Sequence, residues 1–186
     1  GDFDTVEDAL DQVERMIAQG ASIIDVGGES TRPGAEFVTE EEEIARIVPV
    51  IQAIKAKYEV LISIDTYKTA TARAALEAGA DILNDVWAGL YDGQMLALAA
   101  EKNVPIILMH NQKEEVYNDV TEDVCTFLSQ RAQAALEAGV AKDNIWIDPG
   151  FGFAKNVQHN IDLLKGLDKV VALGYPVLFG ISRKRV

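Results

Sequence analysis

Leu76-Glu77-Ala78-Gly79-Ala80-Asp81-Ile82-Leu83-Asn84-Asp85-Val86 closes a helical pattern on a glycine, turns into a short apolar run and ends that run on polar side chains. Glycine readily takes the left-handed conformation that stops a helix and turns the chain back, so the stretch reads as a helix-to-strand junction. The same junction recurs at Ala18-Gln19-Gly20-Ala21, Leu136-Glu137-Ala138-Gly139 and Leu173-Gly174. The chain is thus built from one repeating unit. Working outward, Ser22 to Gly28, Val60 to Thr66, Asp81 to Val86, Val104 to His110, Asn144 to Gly150 and Pro176 to Ser182 read as strands. Each is nearly continuously apolar, as a parallel strand covered on both faces requires. Helices alternate with them. Two open on Thr5 and Thr39, each followed three residues later by a carboxylate, the pattern of a capped N-terminus. Pro49 lies inside the second helix and is expected to bend it.

Polar clusters follow the strands: Asp25 with Gly27-Gly28, Asp65-Thr66, Asn84-Asp85, His110-Asn111, Asp148-Pro149-Gly150 and Ser182-Arg183-Lys184. All six fall at strand C-terminal ends, the ligand-binding face of a parallel α/β barrel. An open doubly wound sheet would also alternate strand and helix. It would gather its polar residues at one switch point and carry a glycine fingerprint after the first strand, and neither is seen here. The expected class is α/β, a TIM (β/α)8 barrel of which six strands are visible.

The 186 residues are 48% hydrophobic, enough for one core, although a complete barrel takes about 250 residues. With 17 basic and 30 acidic residues the net charge is -13, which disfavours nucleic acid or an anionic membrane as partner. No apolar run reaches the roughly 20 residues of a membrane helix, and the opening Gly1-Asp2-Phe3-Asp4 is acidic, so a cytoplasmic protein is expected. The single cysteine, Cys125, excludes an internal disulfide and reads as a small buried residue within a helix. His110 and His159 lack metal-ligand spacing, and no motif for a nucleophilic hydrolase is present.

Three constellations carry chemistry. Asp25-Val26-Gly27-Gly28-Glu29-Ser30-Thr31-Arg32-Pro33-Gly34 offers backbone N–H groups, hydroxyls and a guanidinium, suited to a phosphate or diphosphate; the alternative is an exposed tight turn. Asp65, Asn84 and Asp148 end three apolar strands. Together they can hold the N-C-N edge of an amino-pyrimidinone ring by forked hydrogen bonds; the alternative is that each caps the next helix. Ser182-Arg183-Lys184-Arg185 follows the last expected strand, where a lysine can stabilise developing negative charge and Arg185 reads as solvated. Asp148-Pro149-Gly150-Phe151-Gly152-Phe153-Ala154-Lys155 adds a loop with two aromatic rings.

With these motifs in this order, and with Ser63-Ile64-Asp65-Thr66 and Leu83-Asn84-Asp85-Val86 between them, the chain resembles the dihydropteroate synthases along essentially its whole length. The resemblance implies that residues 1–186 form a single pterin-binding barrel domain incomplete at both ends, lacking the first and last strands and leaving two sheet edges unpaired. It implies a transferase of folate biosynthesis joining (7,8-dihydropterin-6-yl)methyl diphosphate to p-aminobenzoate. Asp65, Asn84, Asp148 and Lys184 would hold the pterin, and Thr31 and Arg32 the diphosphate. Phe153, Ser182 and Arg183 would line the p-aminobenzoate side, where sulfonamides bind in the family. Arg32, Asp148 and Lys184 would be the catalytic groups. Mg2+ is the implied cofactor, but the asparagine that binds it would precede Gly1, so no metal ligand is expected in this chain. The family's homodimer interface would follow Val186. Ala154 stands where the family commonly has glycine. Alone, the 186 residues are expected to be inactive and poorly folded. Two other readings are the pterin domain of a folate-dependent methyltransferase and a non-catalytic pterin-binding relative.

Overall fold

The computed structural model describes residues 2–27, 38–179 and 184–185, with side chains for residues 6–27 and 38–179. Among these residues the strands are β1 (Ile23–Val26), β2 (Leu61–Asp65), β3 (Ile82–Asp85), β4 (Ile106–Met109), β5 (Ile145–Asp148) and β6 (Lys184–Arg185). The helices are α1 (Asp2–Ala18), α2 (Glu40–Lys57), α3 (Thr69–Ala78), α4 (Met95–Lys102), α5 (Val120–Glu137), α6 (Val157–Lys165) and α7 (Leu167–Val171), with a 3-10 turn at Lys142–Asn144. The sheet order is β5-β4-β3-β2-β1-β6, and every pairing is parallel. Consecutive strands from β1 to β5 are neighbours, which is the arrangement expected of a βα repeat.

The strands lie where their apolar runs lie. β3 and β4 are buried at every position, because helices cover one face and the facing strands the other. Ile24, Ile62, Ile64, Ile106 and Ile145 are fully inaccessible, and each such side chain contributes about 1.5–3 kcal/mol by leaving water. The junction glycines Gly20, Gly79, Gly139 and Gly174 all take positive φ. At Gly79 the φ of +121° and the Lys55 side chain 3.1 Å from a would-be Cβ exclude a larger residue. Thr39 caps α2 by accepting from the Glu42 amide at 3.2 Å, and α2 runs through Pro49 without ending.

The structure departs from the sequence reading at the first helix: α1 starts at Asp2, so Thr5 lies inside it. Of the sixth expected strand, residues 180–182 lie outside the described residues; residues 176–179 carry a parallel bridge between Val177 and Ile147, and Lys184–Arg185 lies beside β1. Ile147 N–H donates to the Pro176 carbonyl at 2.9 Å and Leu178 N–H to the Ile147 carbonyl at 2.8 Å, while the Asp148 carbonyl turns toward His110 on the β4 side. Among the described residues β5 and β6 are the outer strands of the sheet, and β5 also takes these backbone bonds from residues 176–178, because exposed strand N–H and C=O groups pair with whatever extended chain reaches them.

That pairing fixes the curvature. Seven peptide steps join Val177 to Lys184 and reach at most about 25 Å. Six strand spacings across a flat sheet would need about 29 Å. The sheet must curl toward a barrel, with its strand C-terminal ends on one rim.

Candidate active site

The register of the parallel strands sets the floor of the site. Asp25 pairs with Ser63, Asp65 with Asn84, and Met109 with Asp148, so these polar residues gather at the C-terminal ends of the strands, on one rim. Above them opens a cavity of about 880 Å³, lined by Asp25, Asp65 and Asn84 and walled by apolar side chains that include Val86, Met109, Phe151, Phe153 and Phe179. A few fixed polar groups in an apolar cleft are the usual composition of a small-molecule site.

Asp25 Oδ1 accepts from the Ser63 hydroxyl, and the Asn84 Nδ2 amide approaches the same oxygen at 3.5 Å. A carboxylate can only accept, so it turns the amide nitrogen of Asn84 toward itself and leaves Oδ1 on the other side. Asn84 Oδ1 is buried and has no hydrogen-bond partner among the described residues. A buried carbonyl oxygen left in this way costs about 1–3 kcal/mol, which a donor on a bound ligand would recover. Asp65 lies beside it, 9% exposed. The floor therefore presents acceptors and calls for a ligand edge rich in N–H donors.

Asp148 ends β5. It is 1% exposed, and its Oδ1 accepts from Gly150 N–H at 2.8 Å, an arrangement that fixes the turn leading to Phe151 and Phe153. Gly150 takes φ +74°, and a Cβ there would meet the His110 carbonyl oxygen at 2.1 Å. Phe153 lines the cavity, with Phe151 packed 5.9 Å from Phe179. Lys184 is placed by its backbone alone, opposite Ile24 on β1 and next to the Asp25 rim. Thr31, Arg32, Ser182 and Arg183 lie outside the described residues.

Several residues have roles here that only their neighbours in the fold reveal. Asp25 follows two apolar residues at a strand end, but its role as the anchor of Asn84 depends on strand neighbours that sequence does not reveal. Asn160, on α6, lines the cavity and accepts from Gly152 N–H at 2.9 Å. Asp85 is fully buried and accepts from Trp87 and Gly89 N–H at 2.8 Å each, so it holds its own turn. Burial pushes its carboxyl up to about 6. His110 is held down at about 4, first by burial and then by the nearby Lys155 charge. His159 belongs to a capping box with Asn156 at the start of α6. Cys125 is partly buried on α5, and burial raises its thiol pKa, the opposite of what activates a nucleophile.

A buried brace stands behind the floor. Thr66 donates from its hydroxyl to Glu43 Oε1 at 2.8 Å and from its N–H to the Asn84 carbonyl at 3.2 Å. The Lys68 ammonium sits 3.4 Å from Glu43 Oε2 and also donates to the Val38 carbonyl.

The family model of pterin binding enzymes matches residues 1–186. The chain belongs to the pterin binding enzymes, on their dihydropteroate synthase branch. Over its full length it is 76% identical to the dihydropteroate synthase of Streptococcus pyogenes serotype M6, of which it covers 70%. Among solved structures, the dihydropteroate synthase of Clostridium difficile, determined in the presence of pteroic acid, superposes with a TM-score of 0.92 at 40% identity; the match covers 96% of this chain and 68% of that one. The Xanthomonas albilineans dihydropteroate synthase with 4-aminobenzoic acid superposes with a TM-score of 0.90 at 44% identity, over 96% of this chain and 66% of that one. The pterin-binding likeness extends along the entire chain, and the α/β barrel architecture comes with it.

Proposed function

We propose that, at the length of its relatives, this protein condenses (7,8-dihydropterin-6-yl)methyl diphosphate with p-aminobenzoate to give 7,8-dihydropteroate and diphosphate. The observation that carries the reading is the buried Oδ1 of Asn84, unpartnered among the described residues, beside the Asp65 and Asp25 carboxylates at the bottom of an apolar cavity. A dihydropterin presents ring N–H and amino donors on one edge, the complement of that acceptor set. The identity to dihydropteroate synthases along the whole chain favours this reaction over a folate-dependent methyl transfer or pterin binding without catalysis.

In this reading Asp65, Asn84, Asp148 and Lys184 orient the pterin, Thr31 and Arg32 meet the diphosphate, and Phe153, Ser182 and Arg183 flank the arylamine. The C–O bond to diphosphate breaks and its electron pair leaves with the diphosphate, whose charge Arg32 offsets. The arylamine nitrogen forms the new C–N bond and releases a proton to water. Holding both reactants in line supplies most of the help, and no protein nucleophile is required. Sulfonamides would compete on the arylamine side, and the relatives' full length would form a cytoplasmic homodimer that uses neither nucleic acid nor membrane. A magnesium ion on the diphosphate is part of the same proposal. Among the described residues no cluster of three His, Cys, Asp or Glu side chains could hold a metal.

Calorimetry of pterin diphosphate binding tests the reading in wild type and in Asn84→Ala, both at the relatives' length. Micromolar binding in wild type, weakened by about 1–3 kcal/mol in the variant, is expected. A folded wild-type protein that binds no pterin overturns it.

A further inference from the structure

Lys155 is a lysine whose side chain is almost wholly withdrawn from solvent, 6% exposed. Its Nζ donates to the Gly150 carbonyl at 2.8 Å, to the Phe153 carbonyl at 2.8 Å and to His110 Nδ1 at 2.9 Å. Three acceptors match the three hydrogens of an ammonium. The histidine can accept because its tautomer is fixed from the far side. The Gln112 amide nitrogen donates to the carbonyls of Glu114 and Val116, at 2.6 and 3.2 Å, which leaves Gln112 Oε1 facing His110 Nε2 at 3.1 Å. Nε2 therefore carries the proton and Nδ1 the lone pair. The chain of contacts runs from the loop after β4, through His110 and Lys155, to two carbonyls of the loop after β5. Tyr117 adds a bond to the same loop, from its hydroxyl to the Ala154 carbonyl at 2.7 Å.

We propose that Lys155 is a positioning residue for the arylamine side of the site, holding residues 150–153 in the one conformation that points Phe151 and Phe153 into the cavity. The proposal rests on the reaction assigned above for the identity of the ligand, but its geometry stands apart from that reaction. Lys155 is not among the cavity-lining residues and acts through the backbone of residues that are. Its position between loops also explains why a cation is buried here at all: a neutral side chain would offer fewer donors to the three acceptors, and buried acceptors left unpaired are costly.

The charged and titratable groups facing Nζ are Asp148 from β5 and His110 from the end of β4, with Asp123 of α5 behind the histidine. Burial lowers the ammonium pKa to about 8, against the opposing pull of Asp148. His110 at about 4 and Tyr117 at about 12 do not change charge between pH 7 and 9.5. Raising the pH through about 8 removes one donor from the hub while its protein neighbours His110 and Tyr117 keep their charge.

The test uses the protein at its relatives' length and the variant Lys155→Met, with hydrogen exchange of residues 150–155 and steady-state kinetics in both substrates. Exchange in this segment is expected to quicken, and KM for p-aminobenzoate to rise about tenfold, the equivalent of a lost hydrogen bond to a charged group. KM for the pterin diphosphate is expected to rise less than that for p-aminobenzoate, because Asp65 and Asn84 of the cavity floor are left in place and only Asp148 faces the lost charge. In wild type the p-aminobenzoate KM should climb above pH 8, and in the variant that climb should be absent. Unchanged exchange, an unchanged p-aminobenzoate KM, or the same pH climb in both proteins would each overturn the proposal. If Lys155→Met does not fold, His110→Leu, which withdraws one of the three acceptors, is expected to raise the p-aminobenzoate KM alone, and an unaltered KM there overturns it equally. A wild-type protein that shows no turnover but loses protection of residues 150–155 in Lys155→Met sinks the assigned reaction while the loop-holding role stands.

Discussion

Ala154 holds φ at 53°, in the left-handed region that costs a residue with a Cβ about 1–2 kcal/mol. Its carbonyl is gripped by Tyr117 and the next residue is Lys155, so the loop imposes this conformation on it. Ala154→Gly should raise stability by about 0.5–1 kcal/mol, since relief of strain outweighs the extra freedom of the unfolded glycine. Urea unfolding of the two proteins measures it, and an unchanged or lower midpoint would contradict it. Gly150→Ala tests the reverse case. Its Cβ would meet the His110 carbonyl oxygen at 2.1 Å, and the backbone φ is +74°, so a loss of about 2 kcal/mol or more is expected from the same unfolding measurement. At this scale the sequence was partly legible. Asp65, Asn84 and Phe153 announced themselves as polar or aromatic residues at strand ends, and they do face one cavity. Asp25 stood among the strand-end polar residues and Lys155 at the end of a loop, but their roles were not readable, because what they do depends on the neighbour that the fold supplies: Asn84 for the first, and two carbonyls and a histidine for the second.

At the scale of elements the helix-to-strand junctions were the clearest feature, since Gly20, Gly79 and Gly139 at positive φ stand where α1, α3 and α5 give way to strands. For the last strand, apolar content says that a segment is extended but not which edge it joins. Residues 176–178 pair with β5, and Lys184–Arg185 pair with β1. The link from α2 to the start of α3 was invisible to pattern altogether. Glu43 reads as one more acidic residue in the first turn of a capped helix, yet it and Lys68 are each 1% exposed and pair across the gap between α2 and α3. Their shared partner Thr66 carries the pairing to the Asn84 carbonyl. Removing one member leaves the other charge buried, so Glu43→Ala should cost about 3–5 kcal/mol. The double variant Glu43→Leu/Lys68→Met should recover most of that, because no buried charge remains. Thermal unfolding of the three proteins decides the matter; a double variant as unstable as the single one would show that the brace works by shape and not by charge.

Across the whole molecule, two buried groups shift in opposite directions and set how the fold answers acid. His110, lowered from 6.5 to about 4, contributes stability that is fully present above pH 6.5 and is lost as the pH falls through about 4. Asp85, raised from 3.8 to about 6, behaves inversely: its favourable contribution is complete below pH 3.8 and is lost as the pH rises through about 6. Each shift is worth about 3 kcal/mol at roughly 1.4 kcal/mol per pKa unit, and the two windows nearly coincide. Between pH 6.5 and 4 the pair should therefore cancel to within about 1 kcal/mol. Asp85→Asn removes the compensating half and should lose about 3 kcal/mol across that interval relative to wild type. His110→Leu should instead gain stability over the same interval. Urea midpoints at pH 6.5 and pH 4 for the three proteins give the answer. Parallel pH dependence in all three would mean that acid acts on the fold through other carboxylates of this strongly acidic chain, and that neither buried group governs its response.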